Sequence, residues 1–85
     1  MIDLQEIQTA TNLILINARA CKDIKGVNWG DLSCVDVMEC RSVYGDTSVM
    51  VLVEECSPDS NLRHFIYKTL HATYPDICFD IRTEW

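Results

Sequence analysis

Three stretches of this 85-residue chain alternate their side chains with a period of two, and no other feature constrains the fold as strongly. They are residues 32–43, 48–55 and 77–84. Successive side chains of a strand point to opposite faces, so each stretch divides into two rows. One row reads Val35, Val37, then Val49, Val51, Val53, then Ile77, Phe79, Ile81. It is apolar almost throughout and needs a covering layer. The residues "YGDT", 44–47, read as the turn between the first two strands, with Gly45 and Asp46 supplying backbone freedom.

Two segments with helical periodicity can supply that layer. Residues 3–24 carry Leu4, Ile7, Ala10 or Thr11, Ile14, Ala18 and Cys21 at steps of three and four. Asp3 reads as the N-cap, with Glu6 three residues on. Lys22 and Lys25 fall in the expected last turn and Gly26 stops the helix. Leu13, Leu15 and Ile16 make the apolar stripe wider than one small sheet can cover. The second helix opens at "SPDS", 57–60, with Ser57 as cap and Pro58 at the first helical position. Leu62, Phe65, Ile66, Thr69 or Leu70, and Thr73 form its buried stripe, and Pro75 ends it. The expected fold is α+β over residues 1–85 as a single domain. Its order is αββαβ, with a three-stranded, mainly antiparallel sheet and two helices packed on one face. The strand order stays open, because the crossover can place the third strand beside either member of the hairpin.

The second row of the strands is unusual. It reads Cys34, Asp36, Met38, Cys40, then Met50, Leu52, Glu54, then Cys78, Asp80, Arg82. A sheet face open to water is normally polar. Here Met38, Met50 and Leu52 fall near the centre in a simple hairpin register, with charges towards the margins. An apolar, adaptable centre inside a polar rim is how a contact surface reads. Self-association through this face is expected, with Met38, Met50 and Leu52 in the contact and Cys34, Cys40 and Cys78 beside them. A different protein as partner is the other occupant of such a face. Glu39 and Arg41 share the row of Val35 and Val37, so this end of the strand either overhangs the helices or carries a bulge.

Composition removes several classes of function. Net charge is −6 and the seven basic residues are scattered, which argues against nucleic acid as a partner. The longest apolar run is "LILI", 13–16, far short of a membrane span. The start "MIDLQEIQ" carries acids where a secretory signal is basic. Five cysteines without such a signal read as reduced thiols in the cytoplasm. Only three glycines are present and none forms a phosphate loop, so a nucleotide-dependent enzyme is not expected.

Metal and thiol chemistry are the remaining alternatives. Cys34 and Cys40 lie roughly 20 Å apart along one strand, too far to share an ion. Sets across strands are closer, such as Cys34 or Asp36 with Cys78, Asp80 or Glu54. His64 and His71 are two helical turns apart with Lys68 between them, on the side away from the buried stripe. Cys56 stands near the start of the second helix, where a helix N-terminus lowers a thiol's pKa. It is the thiol expected to react if the chain is a thiol-dependent enzyme or redox protein. No catalytic residue is assigned, and a catalytic role is not the leading reading.

Two partial family resemblances accompany this reading. Gly45 in the hairpin turn, His64 near the start of the second helix and "YPD", 74–76, make the chain resemble the soluble C-terminal domain of cation-diffusion transporters. That resemblance implies a dimer and a divalent metal near His64. A metal-binding role, taken from the residues themselves, places zinc or a similar ion on His64 or on the Cys78 and Asp80 pair. In "LRHFIYKTL", 62–70, Arg63 and His64 also resemble the helix start of BolA-like proteins, which partner glutaredoxins through an iron–sulfur cluster. The leading expectation from the residues themselves is a non-catalytic interaction module, homodimeric through the open sheet face, with no cofactor required.

Overall fold

The computed structural model describes residues 2–30, 32 and 35–85. The elements follow the expected αββαβ order: α1 (Leu4–Arg19), β1 (Val35–Arg41), β2 (Thr47–Val53), α2 (Asn61–Thr73) and β3 (Cys78–Thr83). The sheet order is β1-β2-β3, which settles the question left open by the crossover. β1 and β2 are antiparallel, with Val35 opposite Val53 and Arg41 opposite Thr47. β2 and β3 are parallel, with Ser48 beside Cys78 and Val53 beside Thr83. A parallel partner cannot be reached by a tight turn, and α2 provides the crossover.

The apolar row forms the core wherever its side chains are described; that of Val35 lies outside the described ones. Val49, Val51, Val53, Phe79 and Ile81 pack with Ile7, Ile14, Leu15 and Ala18 of α1 and Leu62, Ile66 and Leu70 of α2. Val37 and Ile77 border that cluster, Ile77 from just outside β3. Both helices therefore lie on one face of the sheet. Thr11 is buried within α1 and its hydroxyl donates to the Ile7 carbonyl at 2.8 Å. A buried hydroxyl is tolerated when it bonds back to the preceding turn.

The hairpin closes through a three-residue loop, 43–45, rather than the expected turn at 44–47, because Ser42 pairs with Asp46 and Arg41 with Thr47 across it. The Ser42 N–H donates to the Asp46 carbonyl at 2.8 Å and the Gly45 N–H to the Ser42 carbonyl at 3.0 Å. The Ser42 hydroxyl accepts from the N–H groups of Tyr44 and Asp46. Gly45 takes φ +87°, the left-handed conformation this loop class requires. The β1–β2 register runs without interruption from Val35 to Arg41, so no bulge relieves Glu39 and Arg41. Both are exposed on the core side of the sheet, past the cover of the helices.

Helix boundaries differ from the sequence expectation in two places. α1 starts as read, with the Asp3 carboxylate accepting from the Glu6 N–H at 3.1 Å. It ends at Arg19 rather than at residue 24, so Lys22 and Lys25 lie beyond it. The segment after Arg19 is drawn onto the start of α2. Asn61 donates to the Asp23 carbonyl at 2.6 Å and accepts from the Lys25 N–H at 3.0 Å. The Ser57 N–H donates to the Gly26 carbonyl at 2.8 Å. These tertiary bonds replace the helical ones that residues 20–24 would make. α2 is capped by Ser60, three residues after the expected Ser57; its hydroxyl accepts from the Leu62 N–H at 3.1 Å. Ser57, Pro58 and Asp59 form a turn closed by the Ser60 N–H donating to the Ser57 carbonyl at 2.9 Å. Pro58 suits the second position of such a turn as well as a first helical turn, which is why the sequence misleads here.

Candidate interaction surface

The open face of the sheet is a grid set by the two registers. Met38, Met50 and Asp80 form one cross-strand row, and Asp36, Leu52 and Arg82 the next. Cys40, Ser48 and Cys78 form the row nearest the hairpin loop. Met38 is 47% exposed, and Met50 and Leu52 are half-buried beside it. Cys40 and Cys78 are exposed corners of the grid. They sit two strands apart, roughly 10 Å between Cα atoms, beyond the reach of a disulfide. Cys34 lies outside the described residues.

The apolar part of this face is off-centre. Met38 and Met50 belong to β1 and β2, while their neighbour on β3 is Asp80. Asp80 accepts from the Arg82 Nε at 3.1 Å, and both side chains are more than half exposed. An ion pair this exposed adds at most about 1 kcal/mol, but it sets a polar margin along β3. The margin expected on all sides is thus present on β3, while on the other side the apolar patch runs out to the β1 edge.

The structure keeps His64 apart from the Cys78 and Asp80 pair. Cys78 and Asp80 are neighbours on the open face, two residues apart on β3. His64 is exposed on α2, which packs on the opposite face of the sheet. Among the described residues, no three His, Cys, Asp or Glu side chains converge to hold an ion. On α2 the His71 ring stacks on Tyr67 instead, nearly parallel at 5.8 Å between centroids.

Cys56 departs from the reactive thiol expected there. It lies past the end of β2 and is fully buried. Its N–H donates to the Glu84 carbonyl at 2.7 Å, and its thiol reaches the Ser57 carbonyl at 3.7 Å. Burial pushes the thiol's pKa up, and a hydrogen bond with Ser60 offsets this only in part. A buried, protonated thiol is a poor nucleophile. It serves as a small core side chain where Val27 and Cys56 bridge the loop to the sheet.

Sequence reasoning missed the contact between the loop after α1 and the start of α2. Lys25, Gly26, Ser57, Asp59, Ser60 and Asn61 line a shallow depression there. Its polar groups largely satisfy one another, and the only signal in the sequence was an Asn directly after a Ser at a helix start. Among the described residues, no helix is long and apolar enough to cross a membrane. No protein-family model, curated protein or solved structure matches the chain, so neither resemblance gains a family behind it.

Proposed function

We propose that the protein is a small, non-catalytic interaction module that associates with a second copy of itself through the open face of its sheet. The observation that carries this reading is Met38, 47% exposed and directly opposite Met50, with Leu52 in the next row. Methionine and leucine on a solvent face lose contact with water only when something covers them. Methionine also adapts to a facing surface at little cost. Cys40 and Cys78 flank the contact as small side chains.

Native mass spectrometry of the reduced protein, gentle enough to retain bound ions, tests this. The expected result is a metal-free species of at least two chains, with Met50→Glu lowering the number of chains. A wild-type protein found only as single chains, or an association untouched by Met50→Glu, would overturn the reading.

A further inference from the structure

The edge of β1 carries an arrangement that the face contact does not use. In the hairpin, the Ser42 N–H bonds to the Asp46 carbonyl, which fixes the alternation along β1. Asp36, Met38 and Cys40 turn their backbone groups towards β2, and Val37, Glu39 and Arg41 turn theirs outward. β1 is the first strand in the sheet order, so among the described residues this outward edge has no strand beside it. Glu39 and Arg41 stand on it two residues apart, exposed, with opposite charges. Charges on an edge ordinarily discourage pairing. These two permit it in one antiparallel register.

We infer that β1 pairs edge to edge with β1 of a second copy, antiparallel about a twofold axis at Cys40. In that register Glu39 faces Arg41 of the partner subunit and Arg41 faces Glu39 of the partner subunit. Opposite charges directly across a strand pair are favourable, and like charges there are not. A shift of one residue either way about the axis sets Glu39 or Arg41 against its own copy. The outward N–H and C=O groups of Glu39 and Arg41 form the hydrogen-bonded pairs. The two Cys40 residues then form a non-hydrogen-bonded pair, with Cα atoms about 4.5 Å apart.

The shape of the open face supports the same arrangement. Strands of seven, seven and six residues present roughly 320 Å² in projection. A standard interface covers about 800 Å² per partner. Joining two β1 edges makes a six-stranded sheet and doubles the face. It also moves the off-centre patch of Met38 and Met50 to the middle of that wider face. This area argument rests on the proposed function; the charge and edge arguments stand without it.

Charge exchange tests the pairing. By native mass spectrometry, Glu39→Lys and Arg41→Glu are each expected to halve the number of associated chains, with circular dichroism unchanged. The double variant E39K/R41E restores the wild-type number, because lysine then faces glutamate. An equimolar mixture of the two single variants restores it too, as a mixed pair. Diamide fixes the register: two Cys40 thiols give up two protons and two electrons to it and form one S–S bond between chains. That linked species is expected to survive Cys78→Ser and vanish in Cys40→Ser. Single variants that keep the wild-type mass, an E39K/R41E protein that stays dissociated, or a cross-link that persists in Cys40→Ser would each overturn the pairing. Met50→Glu leaves the edge contact intact, so loss of the face contact and loss of the edge contact are read separately.

Discussion

The Ser60 hydroxyl donates to the carbonyl oxygen of Lys25 while accepting from the Leu62 N–H, so one side chain caps α2 and anchors the loop that follows α1. The two partners lie 35 residues apart in the chain. Removing the hydroxyl loses a helix cap and leaves a carbonyl without its protein donor. Ser60→Ala is expected to lower stability by about 1–2 kcal/mol. Urea unfolding checks it, read as a lower midpoint with an unchanged slope. Ser57→Ala, at the residue the sequence favoured as cap, is expected to cost less, because the Ser57 hydroxyl only accepts from the Asp59 N–H at 3.3 Å.

Gly26 and Gly45 both have positive φ, yet they differ in what surrounds them. At Gly26, with φ +75°, an added Cβ lies 3.2 Å from the Ser57 Cβ and 3.4 Å from that of Ser60. At Gly45, with φ +87°, nothing lies within 4 Å. Left-handed backbone costs a non-glycine residue about 1–2 kcal/mol by itself. Gly45→Ala is expected to cost that alone, and Gly26→Ala more, because the loop must also move away from α2. Gly30→Ala, where φ is not left-handed and an added Cβ meets only the Asn28 Oδ1 at an ordinary 3.8 Å, serves as the neutral control. Thermal unfolding of the three variants gives the order directly.

These two sites also mark what the sequence could and could not tell. Alternation placed Val49, Val51, Val53, Phe79 and Ile81 in the core because a strand's faces follow from its period alone. The hairpin itself was legible from Gly45, but its register was not: a turn at 44–47 would set Val43 against Ser48, whereas the loop lies at 43–45 and sets Met38 against Met50. The surplus apolar positions on α1 were legible too: Leu15 is buried, while Leu13 and Ile16 are left facing solvent. The end of α1 was not legible, because Asn61 and Ser60, far along the chain, decide it. Nor was the state of Cys56. Its distance from a helix start is a sequence property, but its complete burial depends on how the loop at Val27 closes over it.

Burial of Cys56 sets a pH dependence of stability. The folded-state thiol has a raised pKa, whereas in the unfolded chain it titrates near the usual value of about 8.5. Below that value both states hold the proton and the contribution is complete. As pH rises past it, the unfolded chain loses the proton first, so stability falls until the folded-state pKa is passed. The urea midpoint is expected to drop between about pH 7 and pH 9.5, and to drop less in Cys56→Ala. In the native protein Cys56 should also be slower than the exposed Cys40 and Cys78 to react with a thiol reagent. Cys56 labelling as fast as Cys78 in the folded protein would contradict its placement in the core.

Leu13 and Ile16 offer a second apolar surface, and they separate two ways for the chain to associate. They are 57% and 65% exposed, one helical turn apart on the side of α1 away from Ile7, Ile14 and Ala18. Two isolated side chains on a helix are a smaller patch than the sheet face, and isolated exposed apolar residues are common on monomers. Charged replacements there suit an exposed helix position. Leu13→Lys with Ile16→Glu is expected to change stability by no more than about 0.5 kcal/mol. The number of chains in the native species should stay as in the wild type, in contrast to Met50→Glu. If the α1 variant dissociates while Met50→Glu does not, the contact surface lies on the outer side of α1, and the sheet face is an exposed face with no partner of its own.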